Sequence, residues 1–339
     1  MASQFIQFGP NRLGPMQSWA VPAAIIVGVE YSFALVVGAR VGFRYQIPFA
    51  TYFIVGATVA AAAGTVVLAT RLFVYFRECE AHPTRRLLAE LPSFYGFAVG
   101  VMLVTAQMAA LSWTKIMLPI ASPFWADPLL ANLDHTILRV EPWRVAEAVF
   151  GWAAPLIDRA YVTWAPIKLA TLTILLALPE TRTKSRALIA YFAIMASAAI
   201  GQYLLSSGGP VFYARLGFGD RFADLPMEPW VATTTAYLWR DYLNAGGDIG
   251  GGISAMPSLH VAMALWVALV VRAYVPRLAV LGFAYFSAIL IGSVLLGWHY
   301  AVDGIAAIAI VAVVWRLAGK FVSTGRKEAF QISRPVAEA

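Results

Sequence analysis

The sequence predicts an all-α protein, a polytopic transmembrane bundle of about eight spans. Three observations carry this reading. The 339 residues are 60% hydrophobic and 13% charged, with a mean hydropathy of +0.71, whereas soluble domains are about half apolar and about a quarter charged. The apolar residues fall into helix-length runs. The basic residues fall in the shorter stretches between those runs. A formal net charge of +7 would suit nucleic acid if Lys and Arg formed one patch. Their distribution is that of orientation signals instead, so no nucleic-acid partner is expected. The single cysteine, Cys79, excludes an internal disulfide and a cysteine-based metal cluster.

In chain order, spans are expected at about 17–39, 49–70, 94–117, 160–178, 187–205, 257–273, 278–296 and 299–317. The first is too long for a signal-peptide core and lacks a small-x-small cleavage site, so it is read as a retained helix. Segment 142–157 is shorter and flanked by proline, and is expected to be interfacial or re-entrant. Four basic groups mark one side of the membrane. They are Arg71, Arg77, Arg85 and Arg86; Arg182, Lys184 and Arg186; Arg272 and Arg277; and Arg316, Lys320, Arg326, Lys327 and Arg334. With eight spans all four lie with both termini, and the excess of Lys and Arg makes that side cytoplasmic. The stretches 118–159 and 206–256, and the link around Trp298, then face periplasm, exterior or lumen. Arg40 and Arg44 run against this order. Tryptophans such as Trp19, Trp113, Trp125 and Trp298 read as interface anchors.

Two short runs carry the chemistry: Met256-Pro257-Ser258-Leu259-His260 and Gly297-Trp298-His299-Tyr300-Ala301-Val302-Asp303. Each places a histidine where an apolar span begins from the non-cytoplasmic side, so both are expected at one depth. They are two of only four histidines. Asp303 follows His299 by four residues, which on a helix puts carboxylate and imidazole on one face. Pro257 suits the first turn of a helix, and the free amides there, with the Ser258 hydroxyl, make an anion site. The glycines at 250–252 could add further amides. Two histidines at a membrane rim, one oriented by aspartate, suit phosphoryl transfer on a lipid. Elsewhere Glu30, Lys115 and Lys168 lie in or near spans. They could line a polar path, but snorkelling or an inter-helix bond is the expectation for the lysines. His82 and His135 are read as surface residues.

These runs resemble the second and third signature motifs of the type 2 phosphatidic acid phosphatase (PAP2) superfamily. They are most similar to its inositol phosphorylceramide synthase-like branch, which is akin to sphingomyelin synthases. Gly209-Pro210-Val211-Phe212-Tyr213 looks like an upstream loop of that branch, and Asp127-Pro-Leu-Leu-Ala-Asn-Leu-Asp134-His135 is a weaker likeness. The resemblance covers roughly 125–318. It implies a PAP2-like six-helix catalytic core over 125–318, preceded by transmembrane helices in 1–124 and followed by a cytoplasmic tail in 319–339. It implies an enzyme without metal or cofactor that moves a phosphoalcohol headgroup, such as phosphoinositol, from a membrane lipid to an alcohol acceptor. His299 would become a phosphohistidine, Asp303 would orient it, and His260 would act as acid and then base. Ser258, Gly209 and Tyr213 would contact substrate.

The chain departs from the superfamily pattern twice. Ser293 stands six residues before His299, where an arginine is usual. The first motif, a lysine, six residues and then Arg-Pro, has no upstream match. Lys327 to Arg334-Pro335 has that spacing but follows the other motifs and falls on the cytoplasmic side. The phosphate-neutralising cation is therefore sought in the outer loops, at Arg215, Arg221 or Arg240, with Arg215 favoured. Three other readings are weighed. A lipid phosphate or diphosphate phosphatase would use the same three residues. A transporter or flippase would use Glu30 and Lys168 as pathway groups and would show broken helices and internal symmetry. A catalytically dead scaffold would tolerate loss of His299.

Overall fold

The computed structural model describes residues 19–42, 49–89, 91–244 and 250–332. Among these residues the chain is helical and has no strand. The helices are α1 (Ala20–Arg40), α2 (Phe49–Arg77), α3 (Pro83–Ala89), α4 (Leu91–Ala121), α5 (Asp127–Leu138), α6 (Pro142–Phe150) and α7 (Ala154–Val162). They continue with α8 (Trp164–Ala177), α9 (Arg182–Gly201), α10 (Pro229–Leu243), α11 (Leu259–Tyr274), α12 (Ala279–Leu295) and α13 (Ala301–Ile332).

Among the described residues each of the eight apolar segments is mainly helical. Five helices are long and apolar enough to cross a membrane, namely α1, α2, α4, α12 with the turn before it, and α13. A sixth candidate is the bent pair Pro142–Val162 and Trp164–Ala177, which turns by 42°. This is a multi-pass membrane protein. The bend falls at Thr163, whose amide and hydroxyl both donate to the Ala160 carbonyl. Pro166 follows three residues later and has no amide proton for the Val162 carbonyl, so one helical ladder cannot run through this point. The segment expected at 142–157 is accordingly α6, a short 3-10 turn and α7. Helix α9 opens with Arg182, Lys184 and Arg186, and α11 has only 16 residues.

Helix α11 sits at the centre and packs against α8, α9, α12 and α13. Trp266, fully buried, donates its indole N–H to the Ala187 carbonyl of α9 at 2.9 Å. Helices α1 and α4 pack on each other and on α9. One polar contact ties these three together. Gln107 Nε2 donates to Glu30 Oε2 and to the Phe192 carbonyl, both at 2.9 Å. Glu30 and Gln107 are both fully buried, and apolar surroundings leave no water to compete for that bond. The carboxylate that composition flagged as a pathway group thus has a partner in the packing of α1 on α4.

Gln107→Leu strands Glu30 without its donor and is expected to lower unfolding free energy in detergent by about 1–3 kcal/mol. Glu30→Leu combined with Gln107→Leu should cost less than Gln107→Leu alone, because no buried polar group is left unpaired. Denaturation midpoints of the three variants check the order.

Candidate active site

The two histidine runs meet where two helices begin. Ser258 caps α11. Its backbone is extended, and its hydroxyl accepts the Val261 amide at 3.4 Å. His260 is the second residue of α11, with its ring stacked on Tyr161 at 4.8 Å and tilted against Trp164 at 4.3 Å. His299 lies two residues before α13. Its amide donates to the Ser293 carbonyl at 2.8 Å. Asp303 occupies the first turn of α13, and its Oδ2 accepts the Tyr300 amide at 3.0 Å, closing the helix start. The same oxygen lies 3.4 Å from His299 Nδ1. The expected aspartate–histidine pair is therefore made across a helix entrance, with His299 outside the helix rather than on its face. On the other side of the ring, His299 Nε2 lies 3.4 Å from His260 Nδ1. His299 is buried, as is Asp303. His299 Nδ1 and Asp303 Oδ1 make no hydrogen bond, so the 3.4 Å contact between the residues is loose.

Helix α5 holds this arrangement from behind. Asp127 and Asp134 stand seven residues apart on one face. Asp127 Oδ1 and Oδ2 accept the amides of Gly209 and Gly208, both at 2.8 Å, and Oδ1 also accepts the Tyr300 hydroxyl at 2.8 Å. Asp134 accepts the amides of Ala301 and Val302 at 2.7 and 3.0 Å. It thus supplies from another helix the cap that α13 needs. Further backbone bonds join Val211 to the Gly297 carbonyl and Ala255 to the Ser207 carbonyl. Ser258 N–H donates to the carbonyl of Asp303. The segments 206–213, 254–258 and 297–303 are knitted into one frame. Gly209 is required in it, with φ at +94°, because a Cβ there would strike the Trp298 carbonyl oxygen. Burial raises both carboxyls. Asp127 is pushed above its usual range against its three hydrogen bonds, and Asp134 to about 6 against its two amides.

The remaining expected site residues are dispersed around the frame. Tyr213 is buried in an aromatic cluster with Phe218 and Phe222 behind Tyr300. Arg215 and Arg240 are exposed, with guanidinium groups 5.7 Å from the rings of Trp239 and Tyr237. Arg221 is spent on Glu141, Asn132 and the Ala131 carbonyl. His135 is exposed beside Glu141.

The histidines open on a cavity whose lining includes Lys115, Ser112, Gln202 and Trp164, but not Arg215 or Arg240. Lys115 has neither a hydrogen bond nor an ion pair among the described residues. Gly252, with φ at +82°, packs directly on Lys115, where a Cβ would stand only 2.8 Å from the lysine's own Cβ. Lys168, nearly fully buried, holds its ammonium 4.6 Å over the Trp164 ring. Reading Lys115 as a snorkelling group missed this placement. A signal was present: Lys115 is followed after six residues by Ser122-Pro123, the spacing of the absent first motif with serine in place of arginine.

Asp127→Asn brings an NH2 group against one of three converging donors and should cost about 1–3 kcal/mol of stability. The Asp134 titration gives a pH dependence. Its folded value of about 6 exceeds the roughly 3.9 of an unfolded chain. The fold therefore binds a proton between these values, and this contribution is full below about 4 and lost as pH rises through about 6. Asp134→Asn should remove it, so the stability difference between variant and parent changes across that window and is constant above it. Denaturation series at stepped pH check both.

A family model described as the PAP2 superfamily matches residues 130–317, more than half of the chain. The match contains both histidines and Asp303 and begins after α4, so Lys115 precedes it. Comparison with curated proteins and with solved structures gives no match. On the family match over residues 130–317, a segment in which two histidines and an aspartate are brought together, the chain belongs to the PAP2 superfamily.

Proposed function

We propose that this protein is a lipid phosphotransferase that moves a phosphoalcohol headgroup between lipids through a phosphohistidine on His299. Members of the PAP2 superfamily are phosphatases or phosphotransferases, which favours an enzyme over a transporter. The observation that carries the proposal is the relay itself. Asp303 and His260 flank opposite nitrogens of His299, each at 3.4 Å, at the wall of a cavity containing Lys115. With substrate bound, the loose Asp303 contact would tighten and keep the His299 proton on Nδ1, and phosphorus would displace His260 Nδ1 from the Nε2 lone pair that attacks it. As the P–N bond forms, the P–O bond to the donor's lipid alcohol breaks, and His260 Nδ1 supplies the proton to that leaving oxygen. The acceptor alcohol then gives its proton to His260, its oxygen bonds to phosphorus, and His299 is released. Every step uses imidazoles and a carboxylate, so no metal is needed by this relay.

Two features support transfer of a phosphodiester. Ser122 and Ser293 stand where the family's pattern has arginines, and Lys115 is the one Lys or Arg among the cavity's lining residues. A single fixed cation matches the one negative charge of a diester better than the two of a monoester. Beside its polar groups the cavity also has an apolar wall of Met108, Leu111, Trp164, Ala198, Pro257 and Leu259, a surface suited to a lipid acceptor rather than to water. The relay is proposed to face the non-cytoplasmic side. In support, Arg186 bonds the Trp315 carbonyl, about four turns along α13 from its start beside His299, and Arg71 bonds the Ala177 carbonyl at the end of α8 remote from the histidines. This basic end reads as cytoplasmic.

Purified protein in detergent, given labelled phospholipids and lipid phosphates with chelator present, should form product. His299→Ala should reduce it by about four orders of magnitude or more. Lys115→Met should reduce it by about 100–1,000-fold, with partial recovery in Lys115→Arg. A new headgroup-bearing lipid identifies transfer, and free phosphate or phosphoalcohol identifies hydrolysis. Product that survives His299→Ala, or that the chelator abolishes, removes the mechanism.

A further inference from the structure

One wall of the cavity is built by helices that precede the family-matched segment. Met108, Leu111, Ser112 and Lys115 of α4 all line it. Their spacing of three, four and seven residues is that of one helical face. Over about 10 Å of rise the chemistry of this stripe changes from ammonium to hydroxyl to apolar side chain. Helix α9 repeats the order with Gln202 and Ala198, one turn apart. The register of the two helices is fixed by hydrogen bonds. Tyr203 donates its hydroxyl to the Thr114 carbonyl, and Gln107 donates to the Phe192 carbonyl. Gln202 is thus level with the polar end of the α4 stripe, and Ala198 falls between those two ties, alongside its apolar end. The polar end belongs to the histidines: α4 and α9 finish there, and α11 and α13 begin there. The apolar end is formed by Met108, Leu111 and Ala198, and beyond it the Gln107 bond to the Phe192 carbonyl closes α4 on α9.

We infer that the α4–α9 groove is the subsite for the chain-bearing part of a phospholipid, with the phosphate at Lys115, the ester or hydroxyl region level with Ser112 and Gln202, and an acyl chain along Leu111, Met108 and Ala198. The inference deepens the proposed reaction and rests on it for the identity of the lipid as substrate. A water-soluble phosphate ester would use the upper end alone and gain nothing from the lower one. Selection of the lipid then lies with α4, outside the segment that defines the family.

The test is photocrosslinking of His299→Ala and of the parent protein, in detergent, with a phospholipid carrying a diazirine at mid-chain. Adducts are expected on the peptides holding Met108, Leu111 and Ala198. An unlabelled long-chain phospholipid should suppress them and glycerol phosphate should not. Adducts confined to the outer surfaces of α1 and α12, or unaffected by the competitor, overturn the inference. A kinetic arm covers a misfolded alanine variant. In the parent, Leu111→Trp should lower kcat/KM for long-chain over short-chain phospholipid by about tenfold. An equal loss for both chain lengths overturns the groove. The two readings fail separately. Absence of turnover in the parent with competed groove adducts removes the reaction but leaves the subsite, and normal turnover without such adducts removes the subsite alone.

Discussion

The carboxylates of α5 are the constraint on which the rest of the site depends. Five hydrogen bonds converge on Asp127 and Asp134, four from backbone amides and one from the Tyr300 hydroxyl. The amides belong to segments some eighty and some one hundred and seventy residues further along the chain. Without these acceptors the Gly208–Gly209 turn and the start of α13 would each leave buried donors unpaired, which is costly in any low-dielectric setting. Asp134 carries the helix cap, and the capped helix carries Asp303. Asp303 in turn faces His299. The position of the His299 imidazole is therefore inherited from a helix that contributes no residue to the cavity lining.

Burial keeps this arrangement specific. His260 lies against Tyr161 and Trp164, whose rings limit the rotation of the imidazole. Asp303 has little freedom, since one oxygen is already engaged by the Tyr300 amide. Polar atoms placed this way in a membrane bundle have few alternative partners, so a small number of contacts fixes the geometry.

Much of this was legible in the sequence, and the limits follow from the physics. Apolar runs announce helices because composition alone decides what lies in hydrocarbon, and the two histidine runs announce one another because each stands at the start of an apolar helix. The role of Asp127 and Asp134 was nearly invisible. Their partners are backbone amides, which every residue but proline carries, so no residue type marks the other half of the bond. Arg215 and Arg240 drew attention by charge and by position in outer loops, yet charge says nothing of which way a loop turns, and both are exposed. Lys115 is hard to single out in the sequence, where a lysine in a span reads as snorkelling or bonded between helices, because Ser122 stands where an arginine would complete the motif spacing. The break at Thr163 had a visible cause in Pro166, although its angle did not.

The bond of Gln107 to Glu30 and to the Phe192 carbonyl has a consequence at a different depth. It fixes the azimuth of α4, and a helix is rigid enough to carry that setting two turns onward. A rotation of about 100° about the helix axis, one residue's worth, would turn Thr114 or Ile116 toward the histidines in place of Lys115. The buried amide thus acts as a set-screw: it is tightened in the middle of the bundle, and what it holds in alignment is a charge at the rim.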